Sequence, residues 1–154
     1  GGAARQRERG EPMIAGTVNE DEVRRSIKTV TFDGTAGKGL VGNVPIFTVT
    51  GEVFIEKVVP FCTVDLVGAT ATLALGFTGA TTALIAATIA TDIDANEFWT
   101  AAVPGAIPIQ EPALLKEWNT SDNIVGTVAV GDITAGAVRF TVYWRPVSAD
   151  GLVA

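Results

Sequence analysis

From residue 26 onward, apolar and polar positions tend to alternate with a period of two, the signature of strands buried on one face. Residues 27–32 (IKTVTF) are rich in β-branched side chains and predict a first strand, after which Gly34, Gly37, Gly39 and Gly42 break the pattern. Residues 44–50 (VPIFTVT) predict a second, and Thr50-Gly51-Glu52 a tight turn into a third over 53–62, long and apolar enough to be central. Pro60 inside that run predicts a bulge or an edge. Residues 70–77 (TATLALGF) alternate as a half-buried strand does, whereas 83–89 fit either a short strand or a helical turn. Residues 97–99 predict another strand, followed by a stretch broken by Pro104, Pro108 and Pro112, and 114–118 a short one. The end of the chain is the most regular, with 123–130 (NIVGTVAV) and 137–144 (AVRFTVYW) joined by a turn at 131–136. Seven to nine short strands, glycine turns and no convincing amphipathic helix predict an all-β fold, an antiparallel β-sandwich or barrel of jelly-roll type.

Parity along the last long strand assigns its two faces. Val138, Phe140, Val142 and Trp144 share one side and belong to the core. Arg139, Tyr143 and Arg145 share the other, facing solvent or a neighbouring subunit, where Arg and Tyr are enriched. Upstream of Ser26 the pattern stops. Residues 1–25 hold few large apolar side chains and a Gly-Glu-Pro break at 10–12, which predicts an extended N-terminal arm before a β domain over 26–154. A helical turn over 19–25, with Asn19 as its cap, fits the same sequence, and Met13 is a candidate internal start.

The charge is divided along the same line. Residues 1–28 carry six basic and five acidic side chains; the remaining five basic and twelve acidic leave 29–154 at net −7. An acidic body repels phosphate backbones, so no nucleic-acid binding is expected of the globular part. The arm's arginines, Arg5, Arg7, Arg9, Arg24 and Arg25, suit paired contacts with carboxylates on a neighbour. No apolar run reaches the roughly 18 residues of a membrane helix, and Gly1 to Met13 lack the apolar core of a secretory signal, so a soluble chain with no membrane partner is expected.

Chemistry is constrained mainly by what is missing from the composition. The chain has no histidine, which excludes Ser-His-Asp and Cys-His catalysis and any His-ligated metal. Its one cysteine, Cys62, cannot form an internal disulfide and sits in an apolar run as a small buried hydrophobe. Residues 37–42 (GKGLVG) match G-x-G-x-x-G, yet proline-containing strand sequence follows where a phosphate-binding helix should begin, so an inter-strand loop is the better reading. Residues 92–96 (DIDAN) imitate the first half of a calcium loop, but its sixth and twelfth positions are Glu97 and Val103, not Gly and Glu. That leaves a capped turn, or an irregular Ca²⁺ site using Asp92, Asp94, Asn96 or Glu97. Neither a cofactor nor a catalytic residue is expected, and the chain reads as a non-enzyme.

Three blocks carry a resemblance: VTFDGTAGKGLVGNVPIFTVTG from Val30, ALIAATIATDIDANEFW from Ala83 and AGAVRFTVYWRPVSADGLVA at the end. In order and spacing they resemble a group of small virion proteins of tailed bacteriophages, with residues 1–28 outside the match. The resemblance implies a structural role as a capsid decoration or minor head protein, located in the virion and assembled in the host cytoplasm. It implies docking on the major capsid or other virion proteins, and a homo-oligomer with a trimer favoured, because decoration proteins often sit at local symmetry axes of a shell. It assigns no residue roles. A second reading is a carbohydrate- or receptor-binding module of a tail fibre or spike, with Trp99, Trp118, Tyr143 and Trp144 as stacking residues.

Overall fold

The computed structural model describes residues 22–104 and 117–154. Its described strands are β1 (Arg24–Thr31), β2 (Gly42–Phe47), β3 (Val49–Thr50), β4 (Val53–Val67), β5 (Thr72–Phe77), β6 (Ala80–Ile89), β7 (Glu97–Phe98), β8 (Trp118–Thr120), β9 (Ile124–Ala129), β10 (Ala135–Pro146) and β11 (Leu152–Val153). The one helical piece among the described residues is a 3-10 turn at Ala90–Asp92. The fold is all-β and antiparallel. One sheet runs β1-β10-β4-β7, with β8 pairing another stretch of β4, and a second runs β2-β9-β5-β6. A two-residue pair, β3 with β11, closes one end.

The sheets pack face to face over a single apolar cluster. Val138, Phe140, Val142 and Trp144 are all buried in it, as their parity predicts, against Leu73, Leu75 and Ile124 from the other sheet. Two buried indoles tie this interior together. Trp99, just past β7, donates its ring N–H to Thr88 Oγ1 on β6 at 2.8 Å, linking the two sheets. Trp144 donates to Ser26 Oγ at 3.0 Å, and the Ser26 hydroxyl donates to the Val153 carbonyl at 2.7 Å, tying β10, β1 and β11. A buried indole N–H needs such a partner because leaving it dry and unpaired costs about 1–3 kcal/mol.

Several boundaries differ from the pattern-based ones. β1 begins at Arg24, so Arg24 and Arg25 belong to the sheet and not to an arm or a helical turn. The reason is pairing: both lie opposite β10, at Trp144 and Tyr143, and the ladder outweighs the weak local signal. Residues 83–89 resolve as strand within β6. β4 is fifteen residues long and central, flanked by β10 on one side and by β7 and β8 on the other. Pro60 is tolerated there because its carbonyl accepts the Trp99 N–H at 3.0 Å, on the side away from β10. A strand residue's N–H and C=O point the same way, so the missing donor falls beyond the end of β7 and the long β10 ladder is intact. Of the expected short strand at 114–118, Trp118 opens β8; residues 114–116 lie outside the described residues, as do Pro108, Pro112 and Met13.

A cationic aromatic sheet face as the candidate docking site

The outward face of the larger sheet is built by the same alternation that builds the core. Opposite residues in an antiparallel pair project to one side. On β10, Arg139, Thr141, Tyr143 and Arg145 point outward; on β4 their partners are Phe61, Val59, Lys57 and Phe54. On β1 the outward positions are Arg25, Ile27 and Thr29, opposite Tyr143, Thr141 and Arg139. A bulge in β4 sets the charge at one end of this face. Tyr143 pairs with Lys57 and Trp144 with Ile55, so Glu56 is the extra residue and both Glu56 and Lys57 emerge on the outer side.

The cations lie over rings. The guanidinium of Arg139 sits 5.1 Å from the Phe61 ring centre and that of Arg145 5.3 Å from Phe54, while the Lys57 ammonium lies 5.1 Å from Tyr143. Phe61 also meets Phe98 of β7 edge to face, with ring centres 4.8 Å apart. Each stacked cation contributes about 0.5–1 kcal/mol at an exposed site. The rings remain half-buried, so they form a floor from which the charged heads project. Arg145 also pairs with Glu56 at 2.9 Å, a surface contact worth little on its own. Of the described basic residues in 29–154 (Lys38, Lys57, Arg139 and Arg145), three are on this face, where β1 adds Arg25. With Glu56 as the one carboxylate among the residues named, this set of side chains is net positive on an acidic body.

The sequence-predicted residues are therefore sorted into three groups. Arg25, Arg139, Tyr143 and Arg145 come together on the outer face. Arg24 projects to the other side of β1, its guanidinium 5.5 Å from the Trp144 ring at the rim of the core. Arg5, Arg7 and Arg9 lie outside the described residues. Sequence reading missed Lys57, Phe54 and Phe61, because it treated 53–62 as one unbroken central run; the adjacent Glu56-Lys57 pair was the available sign of a bulge.

The remaining candidates have local roles. Trp99 and Trp144 are buried and hydrogen-bonded inside, so neither presents a ring face for a sugar, while the half-buried Trp118 packs edge to face with Phe77 at 5.7 Å. Trp99 and Trp144 are buried because large aromatic rings are the cheapest filling for a wide gap between sheets. Around Asp92 to Glu97 the chain makes a turn in which the Glu97 carboxylate accepts the Asp94 N–H at 3.3 Å, and Asp65 accepts that of Ala95 at 2.6 Å. Among the described residues no three His, Cys, Asp or Glu side chains converge in a way that would hold a metal ion. The 37–42 segment closes on itself, with the Lys38 N–H bonded to the Thr35 carbonyl at 2.8 Å, and leads into β2. Gly39 is required there: its φ is +120°, and a Cβ would collide with the Ile133 carbonyl oxygen. Cys62 is buried, its Sγ donating to the Val64 carbonyl at 3.1 Å, and burial pushes its pKa up to about 11. No described helix is long and apolar enough to cross a membrane. Comparison with protein-family models, curated proteins and solved structures returned no match.

Proposed function

We propose that the chain is a structural component of a tailed-phage virion, a capsid decoration or minor head protein that docks on the particle surface and has no catalytic role. The observation that carries the reading is the outer sheet face, where Lys57, Arg139 and Arg145 stand over Tyr143, Phe61 and Phe54 and Arg25 adds a fourth cation from β1. Arginine and aromatic residues at the centre of a surface are the composition of a protein interface, and the cations suit a carboxylate-bearing partner. On a body of net charge −7, such a face orients the molecule toward an acidic shell protein while the rest is repelled. The three sequence blocks that resemble virion proteins supply the choice of partner: the major capsid protein or another virion component. Multiple copies follow from the same reading, as a homo-oligomer with a trimer favoured.

The alternative of a tail-fibre carbohydrate module is weakened because Trp99 and Trp144, two of its four stacking residues, are buried, while Trp118 and Tyr143 are half-buried and Tyr143 lies beneath Lys57. Imaging of purified particles labelled with an antibody to the chain tests the reading. Label distributed across the head is the expected result. Label confined to the tail tip supports adhesion instead, and unlabelled particles overturn a virion role.

A further inference from the structure

The edge of the same sheet makes a separate prediction about partners. β1 is the terminal strand of the larger sheet and pairs with β10 over eight residues without a bulge. Antiparallel pairs alternate between hydrogen-bonded and non-bonded positions, and the Phe32 N–H bonds the Gly136 carbonyl at 2.8 Å, which fixes the phase. Even-numbered residues of β1 therefore turn their backbone groups toward β10. Odd-numbered ones, Arg25, Ile27, Thr29 and Thr31, turn theirs outward, where no described strand meets them.

Exposed edges of folded proteins are usually blunted by proline, bulges or short length, or by charge. β1 has no proline, no bulge and eight residues, so only charge protects it, and that charge has one sign. Arg24, Arg25 and Lys28 lie along it and no acidic residue does. Beside the edge runs a shallow groove of about 300 Å³, lined by Lys28, Thr29, Val30, Thr31, Gly37, Lys38 and Pro45, which places a further ammonium next to the free backbone. Ile27, 53% exposed, gives the edge an uncovered apolar side chain. Two copies of a cationic edge repel each other, so the charge that prevents self-pairing also selects a partner.

The geometry points to strand addition at β1 by an extended, carboxylate-bearing segment of another protein, whose main chain completes the ladder while its acidic side chains meet Arg25, Lys28 and Lys38. This does not depend on the partner being a virion protein. The probe is a labelled octapeptide with glutamate alternating with valine and threonine, added to the full chain at low salt, with binding read by fluorescence anisotropy and by amide hydrogen exchange. The expected result is saturable binding that protects the Arg25, Ile27, Thr29 and Thr31 amides. Thr29→Pro removes one outward N–H and leaves the β10 ladder complete, so it should weaken binding at least tenfold while the chain stays folded. Lys28→Glu should weaken it comparably through charge. Absence of binding, binding unchanged by Thr29→Pro, or equal binding of a lysine peptide or a single-stranded oligonucleotide would each overturn the proposal. So would amides at the odd positions already protected in the free chain, because the edge would then be occupied from within.

Discussion

Replacing Thr88 by Val removes one hydroxyl from the seam between the sheets and leaves the side-chain volume nearly unchanged. Thr88 is fully buried, and its oxygen accepts the Trp99 indole N–H while donating to the Ala86 carbonyl at 2.9 Å. Valine leaves the indole donor dry and without a partner. An orphaned buried donor costs about 1–3 kcal/mol, which for a chain of this size lowers Tm by roughly 2–12 °C at about 2–4 °C per kcal/mol. The cause can be isolated with Trp99→Phe, which removes the donor itself. In that background Thr88→Val loses only the bond to Ala86, an exposed residue, and should cost less than about 1 kcal/mol. Urea unfolding followed by circular dichroism gives all four stabilities of the cycle, and a coupling of at least about 0.5 kcal/mol is expected. If Thr88→Val costs the same in the parent and in the Trp99→Phe background, the hydrogen bond is not what holds the sheets together there.

Charge reversal at Arg139 and Arg145 together should change stability by less than about 1 kcal/mol, since exposed pairs contribute little, yet weaken attachment to particles at least tenfold; unchanged attachment in a pull-down would remove the outer face from the docking surface. Cys62 should resist a thiol reagent at pH 8 in the native protein and react fully in urea. Because its pKa is raised in the fold from 9.0 to about 11, the unfolded chain ionises first, so stability should fall as pH rises from 9 to 11, and Cys62→Ala should flatten that slope in pH-dependent melts. Gly39→Ala should cost more than about 2 kcal/mol in thermal melts through strain and collision with Ile133; a variant within about 0.5 kcal/mol of the parent would show that the 33–42 loop yields easily. Deleting residues 1–21, the cut that spares β1, should leave the circular dichroism spectrum β-type and weaken binding to particles, and unchanged affinity would show that the charged arm contributes nothing.

Fold class was readable because burial on one face of a strand imposes a period of two, which β4 and β10 show over much of their length. The inward set Val138, Phe140, Val142 and Trp144 followed from parity alone. Pairing partners did not, since nothing local in Arg24 and Arg25 announces that β10 extends far enough to recruit them. β11 was missed for a related reason: two residues carry no period, and their placement rests on Thr48 and Ala154 exchanging both backbone bonds, at 2.7 and 2.9 Å. The cationic outer face was half legible. Arg139, Tyr143 and Arg145 lie on one strand and declare their common side, but Lys57 joins them only through the Glu56 bulge. Aromatic residues carried the opposite lesson. Trp99 resembles a surface stacking residue in a threonine-rich sequence, and although parity placed Trp144 inward, the hydroxyl partners Thr88 and Ser26 lie 11 and 118 residues away, and only tertiary structure brings each pair together.

The outer face and the β1 edge meet at Arg25, whose side chain belongs to one and whose backbone belongs to the other. A single acidic partner could engage both, and the two contributions should separate kinetically. Exposed charges over Phe54, Phe61 and Tyr143 act at a distance and are screened beyond about 8 Å at physiological salt, so they should govern how fast the partner arrives. Main-chain bonds along odd-numbered β1 residues act only on contact and should govern how slowly it leaves. Raising ionic strength, or reversing Arg139 and Arg145, should therefore lower the association rate with a smaller effect on dissociation. Thr29→Pro should do the reverse. If both perturbations change the same rate constant, the face and the edge are one contact surface, and the division of labour between charge and strand addition fails.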